Sequence, residues 1–176
     1  LHSYKLYASF DLKNRELFTS LESKNFNPYE LFKVPYWSGV LKFFHGSVLT
    51  TQSSFSAKFS EGKYSWNSES EVRLPFRFSK KGQWVSFNAK GDLKNIVVSS
   101  MKAWGERCEG TFSGSFNIPA LRPSGSLSID YFLYPRNDKV LSGDFFIEPM
   151  NRGFMVVSPG VNLEGHTLTA FQTYAN

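Results

Sequence analysis

The sequence predicts an all-β fold, a two-sheet antiparallel sandwich of Greek-key or jelly-roll type carrying one or two short helices. Three observations predict it. Apolar residues recur at every second position through much of the chain, the period of a strand with one buried face. Aromatic residues make up 17%, with 18 Phe, 8 Tyr and 4 Trp, and bulky flat side chains suit a pleated surface better than a helix. Clusters of Gly, Pro, Asn, Asp and Ser separate the alternating runs, where turns need their special dihedrals.

The first strand is expected over 4–12, where Tyr4, Leu6, Ala8, Phe10 and Leu12 alternate with largely polar residues. Helix is expected only next. Over 15–22, Leu17, Phe18 and Leu21 stand at helical spacings, and a second short helix opens at Asn27 as N-cap, with Pro28 and Glu30 behind it, before Pro35 stops it. Val40–Phe44 and Phe154–Val157 are unbroken apolar runs, read as strands covered on both faces. Alternation returns at Phe55, Ala57 and Phe59; at Val72, Leu74, Phe76 and Phe78; at Phe112, Gly114, Phe116 and Ile118; and at Leu127, Ile129, Tyr131 and Leu133. Turns are expected at 60–62, 80–82, 122–125 and 135–138. No repeat of fixed period and no Gly/Ser/Pro-rich linker divides the 176 residues, so one domain is expected.

Net charge is +5 and the pI about 9.3, which favours a polyanion nearby without requiring one. No apolar stretch reaches the length of a membrane span, and no basic-then-apolar leader is read. The single Cys108 excludes an internal disulfide and, with the absence of an Asn-x-Ser/Thr sequon, fits a reducing compartment. A chain beginning at Leu1 is expected to have been trimmed or cut from a longer precursor.

No nucleophile elbow, zinc-protease helix, P-loop or dinucleotide fingerprint occurs, so no enzyme is expected. His2, His45 and His166 lie far apart, and Asp130 and Asp144 read as solvated strand or turn residues. Neither a metal nor a cofactor is therefore expected. Cys108 lies in a charged loop where flanking carboxylates oppose any activation by Arg107, and reads as an inert thiol. Basic residues are scattered apart from Lys80–Lys81 and the Arg73/Arg77 pair, which are candidates for RNA or interface contact. Tyr7, Phe132 and Phe146 fall out of phase with the inward sets of their strands. Several outward aromatics together suggest a surface covered by other protein.

The segment Phe32-Lys33-Val34-Pro35-Tyr36-Trp37-Ser38-Gly39-Val40-Leu41-Lys42-Phe43 resembles the short helix and aromatic–glycine lead-in to the third strand of coat proteins of picorna-like icosahedral viruses. Phe55–Phe59, Val72–Phe76, 125–129 and 140–146 are similar to later strands of that fold, and the length is similar to coat proteins of the plant secovirus family, of cheravirus type. The resemblance implies an eight-stranded jelly-roll domain over 1–176, with 1–14 as N-terminal strand and 161–176 as C-terminal arm. It implies a polyprotein product, located in the virion and in host cytoplasm during assembly. There it would pack with sister capsid proteins into a pseudo-T=3 shell, with weak non-specific contact to genomic RNA and no membrane. Trp37 and Gly39 are then expected to fix the helix-to-strand passage, and Phe55, Phe59, Leu74, Phe76, Ile129 and Phe145 to fill the core. Two other readings compete. One is a stand-alone carbohydrate-binding β-sandwich stacking sugars on Trp66, Trp84 or Trp104, and the other a lipid-carrying or periplasmic β-taco protein, which needs a leader that is not read here and that trimming would have removed.

Overall fold

A computed structural model of the chain describes residues 3–27, 46–74, 81–133, 140–151 and 153–175. Every regular element among them is a strand: β1 (Ser3–Asp11), β2 (Glu16–Phe26), β3 (Val48–Lys58), β4 (Lys63–Arg73), β5 (Gln83–Gly91), β6 (Asn95–Gly105), β7 (Cys108–Asn117), β8 (Arg122–Leu133), β9 (Val140–Pro149), β10 (Phe154–Leu163) and β11 (His166–Ala175). They form one antiparallel sheet whose spatial order is the chain order. The all-β expectation holds. The order differs from an eight-stranded jelly roll, which needs ladders between strands distant in sequence. Here each of the ladders joins chain neighbours, and eleven strands take part.

Four local expectations are corrected. Residues 15–22 are not helical, because Leu17, Thr19 and Leu21 also satisfy a period of two, and the ladder with β1 decides between the periods. It sets Phe10 opposite Leu17 and Leu6 opposite Leu21, whereas an isolated two-turn helix is marginal. The turn expected at 122–125 lies inside β8, and the chain reverses over 118–121 instead. Pro123 is tolerated there because β9 begins to pair with β8 only at Gly125, so the missing N–H interrupts no ladder. The strand expected through Phe78 ends at Arg73, and the Leu74 amide donates to the Gln83 carbonyl at 2.8 Å. Residues 161–176, expected as an arm, hold the end of β10 and β11. The second helix, the 40–44 strand and the 135–138 turn lie outside the described residues.

Three hairpins share one loop design. Residues 12–15, 59–62 and 118–121 each make a four-residue loop whose last residue is left-handed: Arg15 (φ 55°), Gly62 (φ 61°) and Leu121 (φ 51°). Only Gly62 adopts that conformation without a Cβ penalty. Leu121→Gly is therefore expected to raise stability, and Gly62→Ala to lower it, each by roughly 0.5–1 kcal/mol. A built Cβ at Gly62 meets nothing within 4 Å, so urea midpoints report the backbone alone. At other loops side chains hold the amides: Asp11 accepts from Lys13 and Asn14, and Asp92 from Lys94 and Asn95. These bonds hold both carboxyls below their ordinary range.

Facing pairs in an antiparallel ladder share a side, so register sorts every paired residue onto one of two faces. One row runs Leu6, Leu21, Ser53, Ser68, Ala89, Val98, Gly114, Gly125, Ile147 and Val156 across ten strands. From β1 to β10 no Asp, Glu, Lys or Arg occupies a paired position on this face, and the charges stand on the other. Bulges in six ladders keep the sorting intact. In β8, for example, the irregularity between Ile129 and Phe132 returns Phe132 to the apolar side opposite Leu141. Phe132, predicted to point outward, is thereby corrected. Tyr7 and Phe146 do stand on the charged face, 58% and 45% exposed.

The apolar face is the more shielded one. In β4 its residues are half-buried or buried, while every residue of the opposite face is exposed. Even so, the fully buried apolar side chains among the described residues are only Ala57, Ala89 and Val161. Substantial strand contacts run almost entirely between sheet neighbours, with a small one between β8 and β10. These properties describe one antiparallel sheet of sequentially ordered strands that shields its apolar side without sealing it.

Candidate functional site

The middle of the apolar face is a row of large side chains, Phe87, Met101, Phe112, Leu127 and Phe145, one from each of β5 to β9 and each opposite the next. Glycines beside the row let aromatic rings lie against the sheet. A Cβ built on Gly114 falls 2.8 Å from the Phe112 ring, and one on Gly125 falls 3.2 Å from it. Trp66 covers Gly91 in the same manner, at 3.0 Å. The face thus carries aromatic surface close to the backbone, with nothing charged to oppose a hydrocarbon.

One polar island interrupts it. Thr51, Ser53, Ser68 and Ser70 close a ring of hydroxyls with oxygen separations of 2.8, 2.8, 2.8 and 2.6 Å. Each hydroxyl can donate to one neighbour and accept from the other, so the ring is satisfied within itself on an apolar surface.

One end of the face is fastened by Gln83, which is 3% exposed. Its Oε1 accepts from the Arg107 and Cys108 amides at 3.1 Å each, and its Nε2 donates to the Cys108 carbonyl at 3.1 Å. The side chain thereby continues the strand pairing around the β6–β7 hairpin. The Tyr131 hydroxyl donates to the Gly105 carbonyl beside it.

Phe55, Ile129 and Phe145 lie on the apolar face, as expected of core residues. Phe59 does not join them. It sits in a loop, 48% exposed, between the rings of Phe10 and Tyr64. Leu74 is half-buried just beyond β4. Trp37, Gly39, Phe76, Arg77 and Lys80 lie outside the described residues, as does the segment carrying the aromatic–glycine likeness. Of the candidates for RNA or interface contact, Arg73 and Lys81 are described. The Arg73 guanidinium lies over Trp84 at 5.5 Å, and the Lys81 amide donates to Glu106. Trp84 and Trp104 stack across β5 and β6 on the charged face, with centroids 6.4 Å apart and planes at 8°.

On that charged face a shallow depression of about 620 Å³ crosses β1 to β6 along Lys5, Glu22, Gln52, Glu69, Asn88 and Ser100. Neither Trp84 nor Trp104 lines it. Among the described residues no three His, Cys, Asp or Glu side chains group as a metal site requires, and no helix is long and apolar enough to cross a membrane. Burial pushes the Cys108 thiol above its ordinary value. Its alkylation by iodoacetamide near neutral pH is expected to be slower than that of free cysteine and to recover as pH rises. A rate equal to free cysteine would show an activated thiol.

The row Phe87 to Phe145 was missed as a unit in the sequence. Alternation marks Phe112 and Leu127, the resemblance places Phe145 in the core, and Phe87 and Met101 lie on strands that were not expected; only register aligns the five. Gln83 carries no sequence signal at all.

These features define a class, an antiparallel sheet of sequentially ordered strands with one face free of charge at its paired positions among the described residues. No family model, curated protein or solved structure matches the chain.

Proposed function

We propose that the apolar face is a trough that carries the acyl chains of lipids. The row Phe87–Met101–Phe112–Leu127–Phe145, wide and uncharged, carries this reading. Five strands at about 4.8 Å spacing make the row roughly 19 Å across, comparable with an extended long-chain acyl group. Each methylene removed from water there contributes about 0.8 kcal/mol. The shielding of this face speaks against a membrane barrel, whose apolar side is the outer, open one.

The test is photocrosslinking from benzoylphenylalanine placed at Phe112, on the apolar face, and at Ser126, exposed on the other, in the presence of phospholipid vesicles. Lipid adducts at 112 and not at 126 are expected. Equal labelling at both positions, or none at 112, would overturn the reading.

A coat subunit packing with sister capsid proteins around RNA is the competing proposal. Exposed Tyr7, Phe18 and Phe146 on the charged face favour it, since a neighbour would cover them. The sequential strand order withholds the jelly-roll frame such a shell would use. Sedimentation of the chain as RNA-bearing particles would establish it. A carbohydrate module draws support from the amide and carboxylate groups of the charged-face depression, although no tryptophan lines it.

A further inference from the structure

The outer edge of β1 lacks the proline and the bulge that keep many edge strands from pairing, and Lys5 and Asp11 are its only charges. All nine of its residues are exposed, its ladder with β2 runs through nine consecutive pairs without a bulge, and it contains no proline. The apolar face continues to its last strand, with Tyr4, Leu6 and Phe10 exposed at 58%, 71% and 51%. A sheet that ended here by design would turn these residues inward or charge them.

We propose that the β1 edge pairs, antiparallel and about a two-fold axis normal to the sheet, with the β1 edge of a second copy of this chain. Two features choose this occupant. First, β1 and β11 run in the same direction, because ten antiparallel steps separate them. Stacking copies head to tail would therefore place a parallel ladder in an otherwise antiparallel sheet, while a two-fold keeps every ladder antiparallel. Second, β1 is self-complementary in one register. With Ala8 opposite Ala8 of the second copy, Lys5 faces Asp11 and Leu6 faces Phe10, each pair occurring twice. Moving the register by two puts Tyr7 opposite itself and leaves Lys5 facing Ser9.

Because facing residues share a side, the two-fold joins the apolar faces of both copies into one surface of doubled width. The inference does not depend on hydrocarbon occupying that surface, since a strand edge is recognised by backbone and charge.

The experiment uses the full chain with Cys108→Ser as background. Ala8→Cys is expected to form a disulfide-linked dimer on mild oxidation, and Tyr7→Cys to do so much more slowly. Without a cysteine at the edge, sedimentation equilibrium is expected to give a dimer. Lys5→Glu should weaken that dimer several-fold at low salt, and Asp11→Asn, which keeps an acceptor for the Lys13 and Asn14 amides, should weaken it in the same direction. Far-ultraviolet circular dichroism of each variant checks that the sheet persists. A monomer throughout the accessible concentration range would overturn the inference. So would faster crosslinking at Tyr7 than at Ala8, or open-ended fibres formed through β11. Lipid labelling at position 112 is read independently of all three outcomes.

Discussion

Gly125→Ala is expected to break the β7–β8 ladder and cost about 3 kcal/mol or more. Gly125 faces Gly114 across that ladder. A Cβ at Gly125 would lie 2.4 Å from the Ser113 carbonyl oxygen and 2.8 Å from the Gly114 Cα, both backbone atoms that cannot step aside. Its φ of 158° adds strain for any L side chain. The added methyl would also press on the Phe112 ring and lift it from the sheet. Gly160→Ala is the control, because a Cβ there meets only the Leu168 carbonyl oxygen at 3.5 Å, an ordinary contact. Urea unfolding of the two variants should differ by most of the expected cost. Equal midpoints would mean that the β7–β8 ladder is looser than described.

Gln83→Leu is expected to cost about 2–4 kcal/mol, since three hydrogen bonds to backbone are lost from a buried position with little change in volume. Gln83→Glu separates the donor from the acceptors. The carboxylate keeps the acceptor for the Arg107 and Cys108 amides but cannot donate to the Cys108 carbonyl, and burial raises its pKa. Protonation restores a donor, so the Glu variant should lose less stability relative to wild type as pH falls. Hydrogen exchange at the Arg107 and Cys108 amides reads the local effect. Unchanged protection in the Leu variant would refute the clamp.

The strands of this protein were legible in the sequence wherever alternation stood unopposed. Residues 4–11 and 111–117 sort onto two faces as the period requires, and Phe55, Ile129 and Phe145 fall on the apolar one. Legibility failed where two periods fit the same residues. Leu17, Phe18 and Leu21 suit a helix as well as a strand, and the choice was made by β1, a tertiary partner that local spacing does not describe. It failed again where a turn residue served another purpose: Pro123 and Gly125 look like a reversal, yet the first sits beyond the reach of β9 and the second seats an aromatic ring. The candidate site was legible in its parts and not as a whole. Phe112, Leu127 and Phe145 are read as inward residues, whereas Phe87 and Met101 stand on β5 and β6, which were not expected as strands; bulges in β2, β6, β8 and β10 also break the period, and no periodicity within one strand announces the phase of the next.

A sheet whose strands bond only to their neighbours in the chain needs no long-range closure, so its relative contact order is low for an all-β protein. Growth can begin at any hairpin and spread in both directions, as in linear arrays of repeated units. Width then becomes an evolutionary variable: gain or loss of one hairpin lengthens or shortens the layer without rewiring the remainder.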